Sequence, residues 1–204
     1  LALALAACSV ARVAYNNAPP AIAWIVDDWF DLQEGQKDWV KDRAAKLVAW
    51  HRERELPDYE RFLQALAVRA SRGIAAEDAR WAYERGRALY RRTIERMIPD
   101  MADFLVQVSP AQVAHLERQF DKDNEKAFAE SGAAGPERLA KRTKRFVDRL
   151  EDWTGSLDKA QRAKVAARVA AMPDVTEEWL ADRQKRQNEL LRLLKARPSR
   201  EAWI

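Results

Sequence analysis

Glycine, histidine and cysteine are scarce in this sequence, and each shortage excludes a class of protein. Only 6 of the 204 residues are glycine, and β-branched residues are also few. The tight turns and strands of a sheet-based fold are therefore nearly excluded. Two histidines and one cysteine provide no paired-cysteine metal site, and the sequence has no glycine-rich phosphate loop. We therefore expect no metal, no cofactor, no catalytic residues and no enzymatic activity.

Helix-forming residues are abundant instead. Ala, Arg, Glu, Leu and Lys dominate the composition, and proline and glycine separate the segments they form. This pattern predicts an all-α fold, an elongated antiparallel bundle of about seven helices, some kinked by proline. The predicted helices include those from about Ser109 to Ser131, Pro136 to Gly155 and Thr176 to Ala196.

The domain organisation follows from the same pattern. Residues 21–197 are expected to form a single helical domain, because no linker is long or polar enough to divide them. Residues 198–204 are expected to be a frayed tail. Pro57 either kinks one long helix or begins a new one, and Leu56, a poor capping residue, favours the kink.

The first residues carry a sorting pattern. The apolar run over residues 1–7 is shorter than the roughly 20 residues that a membrane-spanning helix needs, so we expect a truncated remnant of a signal peptide. Leu5-Ala6-Ala7-Cys8 resembles the bacterial lipobox, whose cysteine becomes the lipidated N-terminus; the alternative is that Cys8 is an ordinary small apolar residue. The resemblance implies a covalent lipid on Cys8, a tether over residues 8–20 and an outer-membrane lipoprotein facing the periplasm.

The densest local signature is Trp50-His51-Arg52-Glu53-Arg54-Glu55-Leu56-Pro57-Asp58-Tyr59. Together with Tyr15-Asn16-Asn17-Ala18-Pro19 it resembles a family of uncharacterised bacterial lipoproteins, which implies no particular activity. Because His51 and Glu55 are four residues apart on a predicted helix, we expect them to share a face. His51 is either a helix-packing residue or a pH-sensitive latch or proton shuttle. The candidate binding residues of this segment are Trp50, His51, Arg52, Glu55, Pro57 and Tyr59.

Two predicted helix starts share a motif. Ser109 with Gln112, and Asp158 with Gln161, fit the capping box, in which the first side chain bonds the third amide and the glutamine bonds back. A third start, at Ala75, lacks a good cap. The motif also resembles the Leu-Thr-x-x-Gln repeats of the Spy-like periplasmic chaperones. Simple capping and chaperone kinship are both open interpretations.

Eight tryptophans and a basic balance suggest candidate surfaces. The tryptophans either pack in the core or line an apolar surface for client proteins, and Trp179, Arg183 and Arg186 form one candidate face on the last helix. The net charge is +4, and the densest basic run lies between Arg138 and Arg149, expected first to be a solvated face. Anionic lipid headgroups are an expected partner, and nucleic acid is not.

These patterns together predict a non-enzymatic, membrane-anchored lipoprotein that binds a protein partner or client in the envelope. In the favoured version it is chaperone-like and uses a concave helical face. The alternative is a structural or scaffold lipoprotein with one defined partner.

Overall fold

The computed structural model describes residues 12–204, and within them the chain is helical apart from short loops. The predicted all-α fold is confirmed. Residues 12–16 form a short helical stretch, and eight α-helices follow: α1 (Ala18–Phe30), α2 (Glu34–Trp50), α3 (Leu56–Ala70), α4 (Ala76–Leu105), α5 (Pro110–Ser131), α6 (Pro136–Thr154), α7 (Lys159–Ala171) and α8 (Thr176–Ala196). The predicted signal-peptide remnant and the lipid attachment at Cys8 lie outside the described residues.

The described chain divides into two compact units. The first contains the described residues up to His115 together with Leu194–Ile204, and the second contains Leu116–Leu193. Each unit has its own buried apolar side chains, for example Leu89 and Phe104 in the first and Val147 and Val169 in the second. That residues 21–197 fold as a single domain stays a prediction.

The chain remains helical through Pro57. A π-helical turn (His51–Glu55) joins α2 to α3, and the amide of Leu56 donates to the carbonyl of His51, five residues earlier. Pro57 has no N–H and its ring clashes with an ordinary helical turn, which the wider π turn avoids. The helix therefore continues without a loop, through a π turn that the sequence pattern did not indicate. Pro99 likewise lies inside α4 and does not end it.

Both motif-bearing helix starts form capping boxes. The Gln161 amide N–H donates to Asp158 Oδ1 at 2.8 Å, and the Asp158 amide N–H donates to Gln161 Oε1 at 2.9 Å. The corresponding distances for Gln112 and Ser109 are 3.2 Å and 3.0 Å. At Ala75, which lacks a capping side chain, the Asp78 carboxylate accepts the Ala75 amide at 3.1 Å.

The end of the chain departs from the expected frayed tail. Arg200–Trp203 forms a 3-10 helix, and the Arg200 guanidinium forms an ion pair with Asp103 at the end of α4. Because this contact joins residues far apart in sequence, helix propensity alone could not indicate it.

Candidate functional site

Two distant stretches of sequence meet in the first unit. Tyr15 Oη lies 2.9 Å from His51 Nδ1 and 3.4 Å from the carbonyl oxygen of Val48. Arg52 donates to Asn16 Oδ1 at 3.1 Å, and its guanidinium lies 5.3 Å from the centre of the Tyr15 ring. We call Tyr15, Asn16, His51 and Arg52 the Tyr15 cluster; it attaches the chain before α1 to the π turn.

The environment of Tyr15 favours its neutral phenol. Partial burial raises the pKa of Tyr15 above its usual 10.0, because the phenolate would lose hydration, while the positive charge of Arg52 opposes this rise. The neutral hydroxyl can donate one hydrogen bond and accept another. The Tyr15 cluster is thus maintained by a protonated phenol at neutral pH.

His51 is surrounded by aromatic rings. Its ring centre lies 5.9 Å from that of Tyr15, 5.4 Å from that of Tyr59 and 6.5 Å from that of Trp50. His51, Trp50 and Tyr59 are half-buried, whereas Pro57 is exposed. These neighbours are typical of a histidine that packs between helices.

Glu55 is buried, with 4% of its surface exposed, and it pairs with Arg92 of α4. Two nitrogens of Arg92 donate to Glu55 Oε2 at 3.1 Å and 2.8 Å, and one of them also donates to Asp58 Oδ2 at 2.5 Å. The hydrogen bond from Arg92 lowers the pKa of Asp58 below its usual 3.8. His51 therefore bonds to Tyr15 and Glu55 bonds to Arg92.

Gln112 does more than cap its own helix. It is buried, and its Nε2 donates to Gln36 Oε1 at 2.7 Å and to the Asp31 carbonyl at 3.4 Å. Sequence reasoning found the cap but missed the connection to Gln36. The sequence did contain a signal for this connection, because a second glutamine, Gln36, stands three residues after Gln33 at another helix start.

The predicted face on the last helix is only partly exposed. Arg183 lies 5.7 Å from the centre of the Trp179 ring, forms an ion pair with Asp123 and donates to Asn124 Oδ1 at 2.9 Å. It therefore connects α8 to α5. Arg186 is exposed and pairs with Asp182 one turn earlier, so Trp179 and Arg186 are the members of this set that face solvent.

The basic run on α6 is not uniformly solvated. Arg138, expected on a solvated face, is buried; it forms ion pairs with Glu177 at 3.2 Å and with Asp174 at 3.6 Å. Arg142 also pairs with Asp174 at 3.6 Å, and it donates to the Pro173 carbonyl at 3.0 Å. These arginines hold α6 to the first turn of α8 and to the segment before it, which reduces the charge available to an anionic surface.

An apolar row remains exposed on the same helix. Leu139, Phe146, Leu150 and Trp153 follow helical spacing, so they lie on one face of α6, and all four are exposed, Trp153 to 90%. We call them the α6 apolar row. The sequence pattern identified them as the stripe lining this helix, and the structure shows that Leu139, Phe146 and Leu150 remain 37%, 42% and 40% exposed.

Neither a metal-binding group nor a membrane span occurs among residues 12–204. No cluster of three or more His, Cys, Asp or Glu side chains in this range could hold a metal ion. Within the same range, no helix is both long enough and apolar enough to cross a membrane.

These observations define a small all-helical protein whose most distinctive polar residues connect its helices. The chain belongs to a family of unknown function, DUF6279, whose model matches residues 28–202. Cys8 and the Tyr15–Pro19 segment precede the matched range. No curated protein and no solved structure matches the chain.

Proposed function

We propose that the protein is a lipoprotein of the bacterial outer membrane, attached through a lipid on Cys8, whose helical body binds other proteins in the periplasm without catalysing a reaction. The lipobox-like residues before Cys8 support the anchor. The α6 apolar row is the single observation that carries the protein-binding part of this proposal.

An exposed apolar row with this composition suits contact with other proteins. Large apolar patches on a soluble surface mark interaction sites more often than chance exposure does. Aromatic residues and arginine supply most of the binding energy in protein interfaces, and the row places Phe146 and Trp153 beside arginines. Arg145 and Arg149 are both exposed on this helix, so acidic groups on a bound segment can reach them.

The row also suits a chaperone-like mode of binding. A helix face that presents apolar side chains at regular spacing can contact many unrelated apolar segments, because packing against it requires no particular hydrogen-bond pattern. The neighbouring arginines would favour segments that are apolar and acidic. Sequence likeness to Spy-like chaperones rests on the two capping boxes alone and stays a prediction.

The anchor is tested by labelling cells with an alkyne-bearing fatty acid. The wild-type precursor is expected to acquire the label and to fractionate with the outer membrane, whereas Cys8→Ser is expected to lose both. A wild-type protein without label would contradict the lipoprotein proposal.

Client binding is tested by the aggregation of an unfolded protein at substoichiometric amounts of this chain. The double variant Phe146→Ser and Trp153→Ser is expected to lose most of the suppression. The matched control is Tyr83→Ser with Tyr90→Ser, since these aromatic side chains are 67% and 65% exposed on α4. Equal activity of the two double variants, or no suppression by the wild type, would contradict the proposal.

Photocrosslinking in cells separates the favoured function from its alternative. A crosslinking residue in place of Leu150 is expected to give many different protein adducts if the row binds clients. A single dominant adduct would instead identify a scaffold lipoprotein with one defined partner.

A further inference from the structure

α1 presents an apolar face that nothing in the described chain covers. Trp24 is 68% exposed, Ile25 is also exposed, and the helix contains no buried residue. The residues that face α2 and α4, Ile22 and Val26, line a small apolar cavity of about 110 Å³. Helical spacing places Trp24 on the opposite side of α1 from that cavity and Ile25 on the flank between them.

Charge is distributed unevenly along this part of the chain. The first turn of α1 contains no acidic residue, and the exposed Arg12 precedes it. Asp28 and Asp31 lie at the far end, where Asp27 is already paired with Lys37 at 2.8 Å. An anionic surface would therefore attract the beginning of α1 and repel its end.

The Tyr15 cluster determines how far this face can be from a lipid on Cys8. Because Tyr15 and Asn16 are bonded to the π turn, the chain from Cys8 to Tyr15 spans at most about 25 Å. Trp24 lies only about 15 Å further along a mainly helical path. A short tether gives a local concentration in the millimolar range, which is enough to populate a weak contact.

We propose that Trp24 and Ile25 rest on the anionic lipid headgroups of the leaflet that holds the anchor. This inference rests on the proposed lipid anchor at Cys8. Tryptophan suits the position, because its ring is apolar while its N–H can bond to headgroups and water. The acidic end of α1 then points away from the leaflet. In this orientation α1 is inclined to the membrane surface, and the rest of the first unit lies farther from the leaflet.

The test uses the full chain coupled through the thiol of Cys8, its single cysteine, to a maleimide lipid in vesicles of phosphatidylethanolamine and phosphatidylglycerol. A photoreactive benzoylphenylalanine replaces Ile25, or in the matched control Tyr83, which is 67% exposed on α4 of the same unit. After illumination, lipid adducts are quantified by mass spectrometry.

Position 25 is expected to give at least about ten times the lipid adduct of position 83, because the tether confines it to the surface. Trp24→Ser is expected to lower the yield at position 25 several-fold. Equal yields at the two positions would overturn the inference. If position 25 gives the same adduct yield on neutral phosphatidylcholine vesicles as on the anionic vesicles, the assignment of anionic lipid is wrong.

The chemical tether makes this result independent of acylation in the cell. If the chain fails fatty-acid labelling in cells but gives the lipid adduct in vesicles, the proposed natural anchor is wrong, whereas the affinity of α1 for lipid is retained. If the chain is labelled in cells but gives equal lipid adducts at positions 25 and 83, the proposed anchor is supported and the contact of α1 with lipid is wrong. Crosslinking in cells from position 25 to protein rather than lipid would also overturn it.

Discussion

Gln36 and Gln112 join the beginnings of two helices that are far apart in sequence. Gln112 Nε2 donates to Gln36 Oε1 at 2.7 Å. Gln36 Oε1 also accepts the Gln33 amide at 3.1 Å, and Gln112 Oε1 accepts the Ser109 amide at 3.0 Å. One pair of side chains therefore satisfies amides at both helix starts and holds α2 against α5.

Gln112→Ala is expected to lower the free energy of unfolding of the first unit by about 2–3 kcal/mol, because it removes a cap and leaves buried polar groups without a partner. Gln161→Ala removes an exposed cap with the same motif and is expected to cost about 1 kcal/mol. Hydrogen exchange of the amides in each unit measures both. Equal costs would show that the bond to Gln36 contributes nothing.

Arg92→Gln is expected to destabilise the protein by about 2 kcal/mol, since it leaves the buried Glu55 carboxylate without its cation. The adjacent Arg91 offers a matched control. It pairs with Glu95 at 2.8 Å, but both side chains are exposed, so Arg91→Gln is expected to change stability by less than about 0.5 kcal/mol. Urea denaturation checks the difference; if the two variants behave alike, the pairing of Glu55 is unimportant.

Tyr15→Phe removes the hydroxyl that connects the chain before α1 to His51. The expected cost is about 1 kcal/mol, concentrated in residues 12–17, whose amides should exchange faster with solvent. Tyr83→Phe changes an exposed ring and should leave the exchange of residues 12–17 as it is. Unchanged exchange in Tyr15→Phe would mean that the other contacts of the Tyr15 cluster suffice.

The pH dependence of stability should report on Asp58. The hydrogen bond from Arg92 lowers the pKa of Asp58 below its usual 3.8. The stabilisation that ionised Asp58 contributes is therefore fully present above pH 3.8 and is lost as the pH falls through the lowered pKa. Asp58→Asn lacks this contribution at every pH. We expect the variant to show a shallower fall in unfolding free energy than the wild type between about pH 5 and about pH 2. Parallel curves would contradict the assignment.

Two glycines should respond to alanine in opposite ways. Gly86 lies within α4, and a Cβ there would be 4.0 Å from the nearest atom, Phe62 Cζ. Gly86→Ala is expected to stabilise the protein by about 0.5–1 kcal/mol. Gly132 has φ +76°, and its Cβ would lie 2.9 Å from Lys141 Cδ, so Gly132→Ala is expected to destabilise by at least about 1 kcal/mol. Thermal unfolding of the two variants should shift in opposite directions.

The positions of the helices could be predicted closely from sequence. α5 (Pro110–Ser131) and α8 (Thr176–Ala196) lie where proline, glycine and capping residues indicated. These signals act within a few residues of a helix end, because the side chain that bonds a free amide is local. The π turn was missed because Pro57 allows either a kink or a new helix start, and the sequence pattern did not indicate that one wider turn would accommodate its ring.

The candidate site was predicted only as a set of residues. The dense segment around His51 does meet the segment around Tyr15, but a resemblance gave no means of pairing His51 with Tyr15 or Arg52 with Asn16. The basic run on α6 shows the same limit. The charges of this run can be read from the sequence. The burial of Arg138, however, depends on its ion pairs with Asp174 and Glu177, which lie in a later segment.

The sequence by itself determined that this protein is helical, where most of its helices begin and end, and which residues are chemically unusual, because backbone preference and capping depend on neighbours along the chain. Only the tertiary structure decided which of those residues pair with each other and which apolar side chains stay uncovered. Burial and ion pairing depend on groups from different helices, and a periodic apolar stripe on one helix does not specify whether another helix will cover it.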